Sequence, residues 1–296
     1  MIALIVGLAF IAFQMLTAFG VTEQKRRDDA DSLSLKDMFG LFKRNDQLVY
    51  AGIASLLLNI GMNLLIIFGV NFFYVEFGYS KSGNLVLIFT VMYGLGTLIS
   101  QALYASIMKR RTRHQVLTFS TAAIVVLYLL FLSVGYLLPK NIVLIHVIGF
   151  FIFFFQGLLN LTVIVMINNT IEYDEVRFHE RHDSVISAVR SFSVKLAGGI
   201  NQGLSTLVLI LSGIYATSQK ISALEIEADQ GTITSKEVLS SANTYLSAVL
   251  PSQRFVLRLG MALIPIVTIC GMALLLRKKY RIDEKEYDRL VKQLEG

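Results

Sequence analysis

A lysine in the middle of an apolar segment is the first feature of this sequence that points to chemistry. Lys195 lies in the stretch AVRSFSVKLAGGINQG, about 17 Å along a helix that would begin near Ser184. A cation at that depth in a bilayer costs about 2.5 to 3.5 kcal/mol, so it is expected to face a water-filled cavity or a partner. Arg190 is nearer the helix start and can snorkel to the surface, whereas Lys195 is far from both surfaces. We therefore predict that Lys195 lines a polar cavity.

Small and polar residues share the predicted helix face of Lys195. Ser191, Gly199 and Gln202 recur at helical spacing, and Gly199 and Gly203 form a GxxxG pattern. Such glycines allow close packing of another helix, and they also leave room for a ligand. Gln202 is therefore a candidate substrate-binding residue, and Gly199 and Gly203 are candidates for helix packing.

Two other apolar segments contain amide side chains four residues apart. Asn59 and Asn63 occur in LLNIGMNLL, and Gln156 and Asn160 occur in FQGLLNLTV. Amides donate and accept hydrogen bonds, which suits sugar hydroxyls. They can equally bridge neighbouring helices for about 1 kcal/mol. Polar pairs on three helices favour a polar cavity, to which Asn59, Asn63 and Asn160 are predicted to contribute.

The segment NNTIEYDEVRFHERHDS, residues 168–184, concentrates acidic residues and histidines. A metal site there is conceivable, but no ligand spacing fixes a coordination geometry, so a solvated loop with charge pairs is the better expectation. The sequence contains no GxxxxGKS, HExxH or GxSxG motif. We expect neither an enzyme nor a resident cofactor or metal.

The residues that could do chemistry lie in long apolar runs. The chain has 296 residues, of which 54% are hydrophobic, and its mean hydropathy is +0.62. We predict an all-α integral membrane protein with seven transmembrane helices, each long enough to cross a core of about 30 Å. The predicted spans are Ile2 to Gly20, Leu48 to Gly78, Asn84 to Met108, Gln115 to Leu138, Ile142 to Asn168, Ser184 to Thr217 and Phe255 to Leu276.

Basic residues between the spans predict the orientation. Loops 21–47, 109–114 and 169–183 and the tail from Arg277 contain 19 Lys and Arg, against 5 in the alternate set. Because cytoplasmic segments carry the basic excess, the C-terminus is predicted to be cytoplasmic, in a multi-pass protein of the cell membrane. The net charge of +6 is thereby explained without nucleic-acid binding.

Seven spans with an external start suggest that further helices precede Met1. With five more helices, the chain would supply helices six to twelve of a repeat-built transporter. Residues 1–20 would be the sixth helix, residues 21–47 the cytoplasmic loop between the halves, and residues 48–277 a six-helix bundle followed by the tail, 278–296. The missing N-terminal half would then be a partner of this chain, together with the lipid bilayer.

The predicted external loop, residues 218–254, is long enough to contain structure of its own. Thr234 and Glu237 form a capping box, and apolar residues follow at helical spacing. We predict a short amphipathic helix on the outer surface, ended by Pro251.

A family resemblance covers the whole chain. The segment INNTIEYDEVRFHERHDSVISAVRSFSVKLAGGINQG resembles the signature that joins the tenth and eleventh helices of the glycoside-pentoside-hexuronide:cation symporters, a branch of the major facilitator superfamily that includes the melibiose carrier. FKRNDQL, leading into a helix with Asn59 and Asn63, resembles the start of that family's seventh helix. The resemblance implies cation-coupled symport of a sugar or glycoside (a pentoside or hexuronide) by alternating access, on a twelve-helix fold.

The resemblance also implies roles for individual residues. Lys195 matches an eleventh-helix lysine implicated in substrate binding and coupling, and Asn59 and Asn63 match asparagines near the sugar cavity. The remaining matches lie in the loop between the tenth and eleventh helices and imply a cytoplasmic gate or latch. They are Arg181, Glu172, Tyr173 and Glu175.

The sequence departs from the family at several positions. Asn160 stands where the melibiose carrier has an aromatic residue near the sugar, and the chain has no tryptophan, which argues against melibiose as the substrate. Asn169 and Asp174 replace residues common in the family, an aspartate and a glycine. The family's cation-binding aspartates lie in the N-terminal half, so the coupling ion, Na⁺ or H⁺, is expected to bind mainly there.

Two other classes of protein compete with the transporter hypothesis. A seven-helix receptor or retinal-type photoreceptor would use Lys195 as a chromophore lysine. That lysine would be expected in the last helix and among aromatic side chains, whereas Lys195 lies in the sixth span among small ones. A structural membrane scaffold would not explain why Lys195 lies in the middle of an apolar segment.

Overall fold

The computed structural model describes residues 2–20, 40, 42, 44–179 and 183–295. The chain divides into two compact units, residues 1–39 and residues 40–296. The first unit contains helix α1, Ile2–Gly20, whose sequence has no charged residue. Its described side chains are mostly exposed, including Phe10, Phe13 and Phe19.

Six helices of the second unit are long and apolar enough to cross a membrane. They coincide with six of the seven predicted spans, and the first predicted span is also helical. How many of these helices cross a membrane stays a prediction. Four shorter helices accompany them within the described ranges. In chain order the helices are α2 Asp46–Phe77, α3 Tyr79–Met108, α4 Arg113–Ser133, α5 Ile142–Asn168, α6 Thr170–Phe178, α7 Asp183–Leu211, α8 Tyr215–Asp229, α9 Ser235–Ser247, α10 Pro251–Lys279 and α11 Glu284–Glu295.

Local sequence signals determine where several of these helices begin. The Asn45 side chain accepts a hydrogen bond from the Leu48 amide at 2.9 Å and caps α2. Thr112 and Gln115 form a capping box at the start of α4. These side chains satisfy amide groups that have no partner inside the helix. Gly78 connects α2 to α3 with φ of +83°, a conformation that favours glycine.

The core of the bundle is built around α2 and α5. Helix α2 packs against α10, α7, α3 and α5, and α5 packs against α3 and α4. Phe68, Phe72 and Phe153 are buried among these helices. In the most apolar stretches of α2 and α5, 56% of residues are buried, against 17% in α3 and 22% in α7. The bundle therefore leaves α3 and α7 largely uncovered.

Small residues bring α3 and α5 into close contact along a surface that we call the α3–α5 seam. A Cβ atom added at Gly96 would lie 2.8 Å from the Phe150 carbonyl oxygen. One added at Gly149 would lie 2.4 Å from Cε2 of Phe89. Both glycines are needed for this spacing, because a methyl group would overlap the opposing helix.

Residues between the long helices are more structured than predicted. The predicted external loop contains two helices, α8 and α9, packed against each other. The capping box of Thr234 and Glu237 is present at α9, whose buried face contains Val238, Ala242 and Leu246. Pro251 does not end this helix, because α9 stops at Ser247 and Pro251 is the first residue of α10.

Two further segments predicted as loop or tail contain helices. Residues 170–178, in the predicted cytoplasmic loop, form α6, and residues 284–295, in the predicted tail, form α11. The two helices contact each other. Both helices are rich in charged residues, so neither contains the long apolar run that predicts a membrane span.

Candidate functional site

Helix α7 presents Lys195 on the side that faces away from the bundle. Small residues on the other side contact α2: Val189 packs against Gly52, and the Ser193 hydroxyl donates to the Gly52 carbonyl oxygen at 3.2 Å. Lys195 is consequently exposed. Other exposed residues share this side, which we call the open face of α7: Ser187, Ser191, Gly199 and Gln202.

Lys195 lines a cleft of about 380 Å³. It lies 12 residues after the first residue of α7, or about 18 Å along the helix axis. Among the described residues, no side chain forms a hydrogen bond or ion pair with its ammonium group. The cleft is lined by Asn168, Ile186, Ser187, Arg190, Ser191, Val194 and Lys195.

Arg190 was expected only to snorkel toward the surface, but it lines the same cleft as Lys195. Both cations are exposed. With the hydroxyls of Ser187 and Ser191 and the amide of Asn168, the cleft contains two cations and three neutral polar groups. Such a set can donate several hydrogen bonds to a polyhydroxylated or anionic ligand.

The two asparagines of α2 bond to main-chain carbonyl groups. Asn59 Nδ2 donates to the Ser55 oxygen at 2.8 Å, and Asn63 Nδ2 donates to the Asn59 oxygen at 3.0 Å. The buried Asn201 of α7 donates to the same Asn59 oxygen at 3.3 Å. Asn59 and Asn63 are half-buried, so they are not withdrawn from solvent. Asn201, which was not among the predicted site residues, thus links α7 to α2.

The amides of α5 differ from each other in environment. Gln156 is fully buried, and its Nε2 lies 3.1 Å from the Tyr128 hydroxyl and 3.4 Å from the Gly61 carbonyl oxygen. It therefore bridges α5, α4 and α2. Asn160 is half-buried. No hydrogen bond joins Asn160 or Gln202 to Lys195 among the described residues, so the predicted cavity residues do not form one connected network.

Gly199 and Gly203 lie beside open space in the part of the chain that the structure describes. A Cβ atom added at either position would have no described atom within 4 Å. Packing of these glycines therefore requires a partner outside the described residues.

The predicted latch region is connected to the start of α2. The Tyr173 hydroxyl donates to Asp46 Oδ1 at 3.0 Å, and Arg177 pairs with the same carboxylate at 3.2 Å. Arg177 also donates to the Tyr173 hydroxyl. Asn45 donates to the Thr170 carbonyl oxygen at 3.1 Å. These contacts hold α6 against the start of α2.

Of the four predicted gate residues, Tyr173 is in this cluster. Glu172 and Glu175 are half-buried on α6, and Arg181 lies outside the described residues. The pairing of Asp46 with Arg177 and Tyr173 was not predicted from the sequence. Asp46 belongs to the quoted FKRNDQL segment, but its partner follows more than a hundred residues later.

The C-terminal region also attaches to this end of the bundle. Gln47 Oε1 accepts a hydrogen bond from the Arg281 amide at 2.7 Å. Arg113 pairs with Glu284 at 3.2 Å. Burial raises the pKa of the Tyr280 phenol, which stays protonated and donates to the Met166 carbonyl oxygen at 2.7 Å. These bonds secure the chain after α10.

A charged cluster at the opposite end of the bundle was not predicted. Arg258 is 1% exposed and pairs with Glu76 at 2.9 Å, while Lys140 pairs with the other carboxylate oxygen at 2.8 Å. The Arg258 guanidinium also lies 5.1 Å from the ring centres of both Phe72 and Tyr136. This cluster joins α2, the segment before α5, and α10.

Metal binding finds no support in the part of the chain that the structure describes. Nowhere in it do three His, Cys, Asp or Glu side chains lie close enough to hold a metal ion. Glu180 and His182, which belong to the acidic and histidine-rich segment 168–184, lie outside that part.

Comparison with known proteins assigns the molecule to a family. The family model described as MFS/sugar transport protein matches residues 1–284. The chain belongs to the MFS/sugar transport family. This membership confirms the resemblance seen in the sequence, and it fits a multi-pass membrane protein with long apolar helices.

Relatives within this MFS/sugar transport family are transport proteins by name. The chain is 26% identical to a raffinose carrier protein of Pediococcus pentosaceus over 200 residues, which is 67% of this chain and 30% of the carrier. It is 25% identical to a lactose permease of Leuconostoc lactis over 232 residues, or 76% of this chain and 34% of the permease. It is 23% identical to a lactose permease of Lactobacillus delbrueckii subsp. bulgaricus over 295 residues, or 99% of this chain and 42% of the permease. The chain thus spans less than half the length of these relatives. Their names confirm the expectation of transporters rather than enzymes.

Proposed function

We propose that this chain is the C-terminal portion of a secondary transporter that carries a sugar or glycoside together with a cation. The observation that carries the proposal is the position of Lys195, a cation without a partner among the described residues, in a polar cleft on a long apolar helix of a sugar transport family member. A cation in a bilayer marks a substrate or ion pathway. The named relatives carry raffinose or lactose, so an oligosaccharide is the favoured substrate class.

The cleft has the groups that sugar recognition needs. The Lys195 ammonium offers three donors, and the Arg190 guanidinium offers five. Ser191 and Asn168 add groups that both donate and accept. A sugar leaving water for a membrane-embedded site must replace its hydrogen bonds, because an unsatisfied hydroxyl costs free energy. Asn59, Asn63, Asn160 and Gln202 are proposed to extend the site when it is complete.

The complete site requires a second group of helices. Helices α3 and α7 are the least buried spans, and Gly199 and Gly203 leave open space on α7. We infer that the N-terminal half covers these surfaces and supplies a carboxylate that compensates Lys195. The coupling ion, Na⁺ or H⁺, would also bind mainly in that half.

Alternating access would then proceed by rocking of the two halves around the shared site. The contacts of Tyr173 and Arg177 with Asp46 would act as a latch, because they connect α6 to the residue that begins α2. The basic residues of the loops at this end favour a cytoplasmic location for it. Binding of the cation and binding of the sugar would favour each other reciprocally.

The photoreceptor hypothesis is not favoured by the comparisons. The relatives are named as carriers and permeases. Lys195 also lies beside Ser191, Val194 and Arg190 in its cleft, with no aromatic side chain in the lining.

Substitution of Lys195 tests the proposal. In a full-length transporter that contains this segment, Lys195→Ala should lower uptake of radiolabelled lactose or raffinose by about tenfold or more, since charge-assisted hydrogen bonds contribute about 1.5 to 3 kcal/mol. Surface biotinylation should show unchanged membrane expression. Lys81→Ala, which removes another exposed lysine, is the matched control and should transport normally. Normal uptake by the Lys195→Ala protein would refute the assignment.

A further inference from the structure

His146 is a buried titratable residue that the proposed sugar site does not use. It lies in the second turn of α5 and is 7% exposed. Its Nδ1 is 2.8 Å from the Ile142 carbonyl oxygen, and its Nε2 is 3.1 Å from the Leu85 carbonyl oxygen. The first contact lies within α5, and the second reaches across the α3–α5 seam.

Both ring nitrogens of His146 therefore face groups that can only accept a hydrogen bond. A neutral imidazole has one N–H group, so its second nitrogen would present a lone pair to a carbonyl lone pair. An imidazolium has two N–H groups and donates to both oxygens. The geometry matches the protonated ring.

Aromatic side chains surround the ring on its other sides. Phe73 of α2 stacks on His146 with a centroid distance of 5.5 Å and an interplanar angle of 27°. Phe89 of α3 lies edge-on at 5.8 Å. The faces of aromatic rings attract cations, which offsets part of the cost of burying the charge. Gly149 allows this arrangement, because a methyl group there would overlap the Phe89 ring.

No carboxylate among the described residues pairs with His146. Glu76, one turn along α2 from Phe73, is already paired with Arg258 and Lys140. The carbonyl groups and the rings are thus the groups that would hold an imidazolium. The titratable or charged groups on the elements packed around this region are Tyr74 and Glu76 on α2, exposed Lys81 on α3, Tyr128 on α4, Lys140 before α5, and Arg258 on α10.

We propose that His146 is a proton-binding site that connects α3 to α5. A proton taken from water binds the free ring nitrogen and completes the second hydrogen bond. Loss of that proton leaves one of the two carbonyl contacts repulsive. When the neutral ring keeps its N–H on Nδ1, toward Ile142, the contact that is lost is the one to Leu85. That loss would loosen the attachment of α3, the least buried of the six long apolar helices. This inference does not depend on Lys195 or on sugar binding.

Thermal unfolding of the purified 296-residue chain in detergent, followed by circular dichroism, tests the proposal. Between about pH 5 and pH 8 the melting temperature should fall by about 2 to 4 °C, as expected for loss of one such bond. His146→Gln should remove this fall, because glutamine stays neutral. His114→Gln removes an exposed histidine and is the matched control that should keep the fall. Equal pH dependence in the wild type and in His146→Gln would overturn the proposal.

Nitrogen NMR of histidine gives a second test that does not require the His146→Gln protein to fold. The chain has 4 histidines. Replacing His114, His179 and His182 by glutamine leaves His146 as the only signal. When the pH is lowered from about 8 to about 5, its second ring nitrogen should become protonated. A ring that keeps a single N–H throughout this range would overturn the proposal.

Discussion

The interior of the bundle and the open face of α7 contain the same residue types in opposite environments. A Cβ atom added at Gly96, on the α3–α5 seam, would lie 2.8 Å from a main-chain oxygen. One added at Gly199, on the open face, would meet no described atom within 4 Å. Arg258 is buried and paired with Glu76, whereas Lys195 is exposed and has no described partner. The first set stabilises this chain. The second set is available to a ligand or a partner.

This difference separates structural roles from functional ones. A buried charge is stabilised when it is paired, and the buried Arg258 has its carboxylate partner, Glu76, within the chain. An unpaired cation on a membrane-spanning face has to be compensated from outside or by water. Matched substitutions in the two regions should therefore affect different properties, namely folding stability in the interior and transport on the open face.

The largest effect on stability is expected at the buried arginine. Arg258→Ala would remove one partner of Glu76 and leave a space beside Phe72, which should cost about 3 kcal/mol of unfolding free energy. This value is at the lower end of the range of about 3 to 5 kcal/mol for breaking a buried ion pair, because Lys140 still contacts Glu76. Arg190→Ala, on exposed α7, should change stability by less than about 0.5 kcal/mol. Denaturant titration in mixed micelles measures both. Similar losses of unfolding free energy in Arg258→Ala and Arg190→Ala would contradict the view that the interior stabilises the chain and the open face of α7 does not.

Alanine substitution of a glycine should lower the free energy of unfolding on the α3–α5 seam, but should leave it unchanged or raise it on the open face of α7. Gly96→Ala places a methyl group against the Phe150 carbonyl, and a rigid main chain cannot move aside, so a loss of about 1 to 3 kcal/mol is expected. Gly199→Ala meets no neighbour and should be neutral or stabilise the chain by about 0.5 kcal/mol, because alanine favours the helix. The same titration compares them. Destabilisation of the isolated chain by Gly199→Ala would show that this glycine packs within it.

Apolar runs in the sequence correctly predicted where the long helices lie. They predicted the first and last residues of these helices less accurately. The structure extends the second predicted helix back to Asp46 and the third back to Tyr79, because polar residues at a helix end lower hydropathy without breaking the helix. The helices α6, α8 and α11 are too polar to appear in such a search. They were missed because their stability depends on packing against the bundle or on local caps.

The candidate site was only partly predictable. Depth and spacing predicted Lys195 on a polar helix face, and the structure places it in a cleft with Ser191. The pairing of Arg258 with Glu76 could not be predicted, because each residue alone resembles an interfacial charge at the end of a span. Their proximity depends on how α10 packs against α2.

The smallest predicted effect compares two adjacent amides of α7. Asn201 is buried and donates to Asn59 at 3.3 Å, whereas Gln202 is exposed on the open face. Asn201→Ala should cost less than about 1 kcal/mol of unfolding free energy, because the bond is long and the buried Asn201 oxygen has no hydrogen-bond partner among the described residues. Gln202→Ala should leave stability unchanged within about 0.3 kcal/mol and, if it contacts sugar, should raise the apparent KM for uptake in the full-length transporter. Denaturant titration and uptake kinetics together decide the case. If Gln202→Ala lowers stability and leaves transport normal, Gln202 has a structural role like that of the buried Asn201. The open face of α7 that is available to a ligand would then be narrower than its exposed side chains indicate.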